Sequence, residues 1–266
     1  ESRTKPHRLV RVRIAESVPD RLVGRRALLA AGAPAVQWGL RTQQRVPEIP
    51  NTLRSVMHVL ITAGPTREYV DDVRFLSNAS SGRMGYALAE AACRHGWQVT
   101  LVSGPVALAP PAGVELHRVT SALEMLETCL RLLPHVDGVI AVAAVADYRP
   151  VARFHGKMRR TEDSLQLDLV PNPDILAEIG RRKTHQWTVG FAVESDDALA
   201  RARGKLRSKN CDAIVLNLRD AMESADTSIQ LLDRLGVVAF QFSGSKEQAA
   251  EQIVAWVDRN LALPHE

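Results

Sequence analysis

Nowhere does the 266-residue chain approach the roughly 18 unbroken apolar residues that a membrane span needs, and no charged start leads into an apolar run with a small-residue cleavage site. No membrane partner is expected, and the cytoplasm is the expected compartment. Cysteine is scarce: Cys93, Cys129 and Cys211 are odd in number and far apart, without metal-ligand spacing, and read as reduced packing residues. Aromatic residues make up only 5% of the chain and stud no basic face of the kind that binds nucleic acid, although the sequence pI is near 9.2. The placement of charge resolves that conflict. Residues 1–54 hold eleven Lys/Arg against four Asp/Glu, a net of +7, and the remainder of the chain carries −3. The basicity belongs to the leader, and no nucleic acid partner is expected for the domain. Neither G-x-G-x-x-G nor Tyr-x-x-x-Lys occurs, which excludes the usual marks of a nicotinamide-dependent reductase. No Ser/His/Asp or Cys/His arrangement marks an enzymic nucleophile.

What is present, 45% apolar and 24% charged residues, suits one principal globular domain with a sizeable core. Residues 1–56 show no sustained helical or strand period and end in Pro47-Glu-Ile-Pro50, so they are expected to stay outside the fold, as a tail or as sequence upstream of a start at Met57. From Met57 on, strand-like and helix-like patterns alternate. His58–Thr62, Gln98–Ser103, Gly138–Ala144, Thr188–Val193 and Ala213–Leu216 read as strands, and Ile229–Leu232 with Val237–Phe242 as a hairpin. Helices are expected over Gly82–His95, from Ser121 to Leu133 with Leu123, Leu126, Leu130 and Leu133 near one face, from Asn172-Pro173, over Ala198–Lys209, and from Ser245 with Gln248 as capping-box partner. Such alternation implies an α/β fold: a mainly parallel sheet, right-handed crossovers, helices on both faces, and a ligand crevice at the carboxyl ends of the strands.

Ile61 to Gly85 is the most informative stretch. Roughly twenty residues separate the first strand from its helix, where about 2–6 suffice for a turn. They hold Gly64 and Gly82, which let backbone approach a ligand, and Ser77, Asn78, Ser80 and Ser81, which add donors beside the free N–H groups of a helix start. With Arg83 as a mobile cation the stretch reads as an anion cradle, Ser80, Ser81 and Gly82 facing phosphate. The competing reading is an ordinary Ser N-cap. Asp147 closes an apolar strand, suited to a metal ion or a ligand hydroxyl, or else to a surface turn. Lys157, Arg159 and Arg160 belong to a cationic flap, from Asp147-Tyr-Arg-Pro150 to the alternating Ser164–Val170, over the sheet's edge; taken alone, such a charge run is usually a solvated face. Lys205 and Lys209 share a helix face that reaches either a polyphosphate or water. Common placement around the cradle favours a nucleotide polyphosphate with Mg2+.

AGPTREYVDDVRFLSNASSGRMG (Ala63–Gly85), AAVADYRP (Ala143–Pro150), KMRR (Lys157–Arg160), NPDIL (Asn172–Leu176) and VGFAVE (Val189–Glu194) resemble phosphopantothenoylcysteine synthetase, the ligase of coenzyme A biosynthesis, in order and spacing over nearly all of Met57–Leu261. The resemblance implies a Rossmann-like three-layer sandwich, residues 57–266, with a small β-hairpin and flap elaboration. It further implies that 4′-phosphopantothenate and CTP form an acyl-cytidylate and pyrophosphate, after which L-cysteine displaces CMP. Lys157 would touch the triphosphate, and Asn78 would hold the acyl-cytidylate. The nucleotide would be bound by the backbone of Ala141, Val142 and Ala143, by Asp147, by Pro173, Asp174, Ile175 and Leu176, and by Phe191, Lys205 and Lys209. Arg74 would join Asn78 on the phosphopantothenate side. A homodimer is implied, with sites near the subunit interface.

Two departures stand out. The 56 leading residues are too few for the flavin-dependent decarboxylase domain that bacterial members often carry, so a separate phosphopantothenoylcysteine decarboxylase chain is implied. Arg159-Arg160 stands where a Lys-rich flap is usual, and Met222–Ser228 replaces a Gly- and Asn-bearing segment. The alternatives are the same ligation with ATP and a non-catalytic nucleotide-binding protein, which an assay of pyrophosphate release separates.

Overall fold

The computed structural model describes residues 11–14, 56–160, 165–194, 197–218 and 226–262. At its centre is an eight-stranded sheet built from β2 (His58–Ala63), β5 (Gln98–Ser103), β6 (Glu115–Arg118), β7 (Gly138–Ala141), β10 (Trp187–Glu194), β11 (Ala213–Leu218), β12 (Asp226–Leu232) and β13 (Val238–Ser245), in the order β13-β12-β11-β10-β7-β2-β5-β6. From β6 across to β11 all neighbours are parallel, and the β12–β13 hairpin closes the far edge antiparallel. Strand β2 shows why the run His58–Thr62 is unbroken. Val59, Ile61 and Ala63 enter one core cluster and Leu60 the other, all with no accessible surface, because a central parallel strand is covered on both faces.

Helices α1 (Arg83–Arg94) and α5 (Lys246–Asn260) cover one face, and α2 (Ala122–Leu132), α3 (Ile175–Arg182) and α4 (Ala198–Ser208) cover the other. This is the expected Rossmann-like three-layer sandwich. Ser245 and Gln248 form the expected reciprocal capping box on α5. Ser121 caps α2 by accepting from the Glu124 N–H, but Glu124 reaches back to the N–H of Thr120 rather than of Ser121. Such caps are each worth about 1 kcal/mol.

Several expectations need correction. The buried stripe of α2 is Ala122, Met125 and Cys129, continued by Leu133, with Leu126 packed partly buried at its side; Leu123 is 46% exposed and does not belong to it. Helix α3 does not begin with Pro173 inside it: the N-cap is Asp174, whose carboxylate accepts from the Ala177 N–H at 3.0 Å, so Pro173 stands just outside. The long β2–α1 connection is itself folded, into the antiparallel pair β3 (Arg67–Tyr69) and β4 (Phe75–Ser77). The flap is not laid over the edge of the main sheet. Its strands β8 (Tyr148–Pro150) and β9 (Gln166–Pro171) follow the central strand β7 and pair with each other in a separate sheet. That sheet gains a third strand from the leader, because β1 (Arg11–Ile14) runs parallel to β9, with Arg11 opposite Gln166 and Ile14 opposite Leu169. Arg-Val-Arg-Ile alternates with period two, too short a run to stand out, yet enough to pair with a free backbone edge. Residues 1–10 and 15–55 lie outside the described residues, as do Ser164 and most of the Met222–Ser228 segment.

Candidate functional site

The site is built at the carboxyl ends of β2, β7 and β10, three adjacent strands in which Thr62 stands opposite Ala141 and Ala141 opposite Gly190. Past β2, the chain turns at Gly64, with φ of 73°, and reaches Pro65, which forms a parallel bridge to Ala144. The cradle closes at Gly82, the N-cap of α1, with φ of 77° and no side-chain cap. A Cβ there would sit 2.8 Å from Val106 Cγ1 and 3.3 Å from Gly64 Cα, so both backbone conformation and space call for glycine. Neither Ser80 nor Ser81 is the N-cap. Ser80 instead accepts from the Gly82 N–H at 3.4 Å, and Ser81 is exposed. The start of α1 therefore has no side-chain cap, and its first N–H groups are without a helical partner.

Hydrogen bonds tie several of the other expected residues, Asn78, Val142, Ala143 and Asp147, into a rim. Thr62 Oγ1 accepts from the N–H groups of Val142 (3.1 Å) and Ala143 (3.2 Å), so the Ala141–Ala143 backbone has these two donors committed already. Asn78 donates its side-chain amide to the carbonyl oxygens of Ala144 (3.2 Å) and Val145 (2.9 Å). The Ala146 N–H donates to Thr66 Oγ1, and Asn172 spans the next gap, its amide donating to Ala146 O at 2.8 Å while its N–H donates to Asp147 O at 2.8 Å. The Asp147 carboxylate is exposed and makes no hydrogen bond or ion pair among the described residues. Further on, Lys209 Nζ meets Asp174 Oδ2 at 3.0 Å, bringing two expected nucleotide residues together. Ile175 and Leu176 are buried under the start of α3, and Phe191, half-buried on β10, packs against the core, so contact with a ligand falls to their edges and backbone. Lys205 lies one turn before Lys209 on α4.

Arg74 and Lys157 belong to a second assembly that sequence reading did not connect. The tip of the β3–β4 hairpin, Val70–Arg74, is stitched to the flap. Arg74 donates to Met158 O at 2.8 Å, the Met158 N–H donates to Asp71 Oδ2 at 3.1 Å, the Gly156 N–H donates to Asp72 Oδ2 at 2.7 Å, and the Phe154 N–H donates to Val70 O at 2.9 Å. Asp71 has no accessible surface. Burial works to raise its pKa, but the N–H groups of Val73, Arg74 and Met158 and the nearby Arg74 guanidinium outweigh it and hold the carboxyl below its usual range. The Gly156 N–H and then Arg153 act likewise on Asp72. Glu68, also buried, accepts from the Ala122 N–H at 2.9 Å and so fastens β3 to the start of α2. Thr66, Glu68, Asp71, Asp72 and Asn172 all stand in motifs singled out from sequence, but nothing in residue type alone separates a buried loop aspartate from a solvated one.

Arg83 is placed away from this rim. With Tyr86, Leu108, Pro111 and Glu247 it lines a groove of about 380 Å³ beside α1 and the start of α5, and its charge helps to lower the Glu247 pKa, behind the N-terminal backbone and Ser245 hydrogen bonds. The mobile-cation role in the cradle therefore has no support from its position. Cys129 and Cys211 are buried free thiols, pushed up to about 12 and about 11 chiefly by that burial, as expected of inert packing residues. Among the described residues no group of three or more His, Cys, Asp or Glu is placed to hold a metal ion, and no helix is long and apolar enough to cross a membrane.

A mainly parallel sheet between two helical layers, with a polar rim across the carboxyl ends of three strands, defines a Rossmann-like α/β domain. The chain belongs to the family of the DNA/pantothenate metabolism flavoprotein C-terminal domain, whose pattern matches residues 55–261. It is 48% identical over 176 residues to the coenzyme A biosynthesis bifunctional protein CoaBC of Bacillus subtilis (strain 168), covering 65% of this chain and 43% of that one. To the protein of the same name from Haemophilus influenzae it is 38% identical over 207 residues, covering 76% and 52%. The chain thus spans about half the length, or less, of these relatives. Among solved structures, the C-terminal domain of a coenzyme A biosynthesis bifunctional protein CoaBC superposes with a TM-score of 0.67 at 39% identity, covering 77% of this chain and 96% of that domain.

Proposed function

We propose that this domain is a phosphopantothenate–cysteine ligase: it joins 4′-phosphopantothenate to L-cysteine at the expense of CTP, giving 4′-phosphopantothenoylcysteine. The observation that carries the reading is the likeness at 39% identity to nearly the whole C-terminal domain of a coenzyme A biosynthesis protein, together with a rim that gathers the motif residues at one end of the sheet. In the first half-reaction the substrate carboxylate attacks the α-phosphorus of CTP; an acyl–oxygen–phosphorus bond forms, the bond to the β-phosphate breaks, and pyrophosphate leaves. In the second, the cysteine amine attacks the acyl carbon, the bond to CMP breaks, and the amine proton passes to solvent. No enzymic nucleophile is needed, and rate comes from orientation and charge stabilisation.

The uncapped start of α1 with Ser80, Ser81 and Gly82 supplies backbone donors for phosphate, and Lys157 adds a point charge from the exposed flap. Lys205 and Lys209 face the nucleotide from α4. Arg74 and Asn78 serve the acyl side. The Ala141–Ala143 backbone, with two of its N–H groups bound to Thr62, offers chiefly carbonyl acceptors, which suit an exocyclic base amine. The residues present fit Mg2+ held chiefly by the phosphates and water, with Asp147 as an oxygen ligand; its charge would offset that of the triphosphate. A homodimer, with each site near the interface, accompanies the reading. The test is pyrophosphate release from purified protein with phosphopantothenate, cysteine, Mg2+ and either CTP or ATP. Release that requires phosphopantothenate and is faster with CTP is expected; release with ATP alone overturns the choice of base, and none with either overturns the ligase.

A further inference from the structure

From the stitching of hairpin tip to flap we infer that Asp71 and Asp72 are positioning residues for Lys157: two adjacent carboxylates clamp the flap backbone on either side of that lysine and fix where its ammonium is presented. The inference rests on the ligase reading for the role of Lys157, but the clamp itself is a matter of geometry.

Lys157 is exposed and has no hydrogen bond or ion pair among the described residues, so its own side chain does not hold it in place. Its two neighbours are held instead. On one side the Gly156 N–H donates to Asp72 Oδ2 at 2.7 Å, and the Gly156 carbonyl accepts from the Asp72 N–H at 3.3 Å. On the other the Met158 N–H donates to Asp71 Oδ2 at 3.1 Å, and the Met158 carbonyl accepts from Arg74 at 2.8 Å. Gly156 has φ of 78°, a left-handed turn that brings the flap to both carboxylates and that a side chain would strain.

Asp71 is shaped for this use. Its Oδ1 accepts from the Val73 N–H (2.8 Å) and the Arg74 N–H (2.7 Å), which locks the hairpin tip, and leaves Oδ2 for Met158, with Arg74 Nη1 at 3.7 Å. A carboxylate without accessible surface persists ionised only where donors surround it, and here part of that shell is the flap itself. Asp72 is exposed and is further occupied by Arg153 at 2.9 Å, which also lies over the Tyr69 ring. Arg74 belongs to the acyl side of the proposed site, so the clamp joins the group that holds one substrate to the backbone that carries the cation for the other.

Asp71→Asn tests the flap arm selectively. The amide oxygen still accepts from Val73 and Arg74, while the amide nitrogen confronts the Met158 N–H donor to donor. Asp72→Ala, at an exposed residue, keeps the test open should Asp71→Asn fail to fold. Hydrogen exchange at the Gly156 and Met158 amides is expected to accelerate in the variants at unchanged protection of the central strands. Pyrophosphate release is expected to fall about 10- to 100-fold, the scale of a small misplacement of a reacting group. Combined with Lys157→Gln, either variant is expected to add no further loss, since both act through the same ammonium. Losses that multiply, unaltered exchange at the two amides, or wild-type rates with exchange accelerated would each overturn the positioning role. A wild-type protein that releases no pyrophosphate from either nucleotide fails the ligase reading, and the role falls with it; an active wild type with multiplying losses fails this inference alone.

Discussion

Asn78 donates its side-chain amide to the carbonyl oxygen of Val145 at 2.9 Å, with a second bond to Ala144 at 3.2 Å, so the residue expected to hold an acyl-cytidylate spends its donors on the β7 end of the crevice. Its amide oxygen accepts no hydrogen bond among the described residues. Substrate contact by Asn78 then means either that this oxygen accepts from the ligand or that the amide leaves Ala144 and Val145 when ligand arrives, exchanging one pair of acceptors for another.

Asn78→Asp separates chemistry from loop architecture. The carboxylate would meet two carbonyl lone pairs, so the rim loosens; the residue is exposed, and a stability loss of about 1 kcal/mol is expected, the usual net worth of a hydrogen bond. CTP cleavage is expected to continue, bound acyl-cytidylate to accumulate, and amide formation to fall on the order of 10²–10³. Quenched samples examined by mass spectrometry check this. Both half-reactions falling in parallel, without a trapped intermediate, would leave Asn78 a purely architectural residue.

Removal of residues 1–55 takes away β1 but no strand or helix of the central sheet, whose cores draw on residues from Met57 onward. The melting temperature is expected to fall by no more than about 2–4 °C, the equivalent of roughly 1 kcal/mol in a domain of this size, with pyrophosphate release retained. Calorimetry and the release assay decide: a collapse of both would make the leader integral to the domain.

How far the sequence reached depended on the physics at each place. The central strands were legible because two-sided burial demands unbroken apolar runs such as Val59–Ile61, and Ser245 with Gln248 because a cap has a fixed spacing. The stripe of α2 was only partly judged, because Met125 and Cys129 lead it and Leu123 lies off it, while Leu126 and Leu133 do reach the core. Around the crevice, the strand order brings Asn78 and the Ala141–Asp147 segment together, as the parallel alternation led one to expect, while Arg74 joins the flap instead. What stayed hidden were bonds between loops distant in sequence, Asp71 to Met158 and Asn172 to Ala146, because a carboxylate or amide bound to backbone N–H and C=O groups imposes no residue type on its partner.

Met125 has no accessible surface between α2 and the sheet. Met125→Ala is expected to cost about 2–5 kcal/mol, and the equally plausible-looking Leu123→Ala under about 0.5 kcal/mol, a contrast that urea denaturation measures directly. Equal losses would return Leu123 to the core side.

Acid acts on the clamp with a definite sign. Asp71 and Asp72 have pKa values below the ordinary 3.8 in the folded protein, so in that window the unfolded chain binds more protons and stability rises with pH. Their contribution is complete above about 3.8 and fades as pH falls through the depressed values. Flap amides Gly156 and Met158 are expected to lose exchange protection in that range, and Asp71→Asn to flatten the acid limb of a melting-temperature profile. An unchanged acid limb in the variant would count against an ionised Asp71.

The Lys209–Asp174 pair gives two substitutions opposite signs. Asp174 caps α3 through Oδ1, and its Oδ2 holds Lys209 at 3.0 Å; both side chains are partly exposed, so the pair adds at most about 1 kcal/mol. A polyphosphate arriving on α4 competes with Asp174 for the same ammonium. Lys209→Gln removes a cation from the nucleotide and is expected to raise the KM for CTP about tenfold at little cost to stability. Asp174→Asn keeps a good N-cap, because asparagine serves there as well as aspartate, yet frees Lys209 and removes a negative charge beside the phosphates. Its KM for CTP is expected to fall a few-fold, more so at low salt, where the ammonium is less screened. Steady-state kinetics at two ionic strengths, with melting curves as control, decide the matter. A KM that rises for Asp174→Asn, with the helix intact, would mean that the carboxylate itself binds the nucleotide rather than holding Lys209 in reserve.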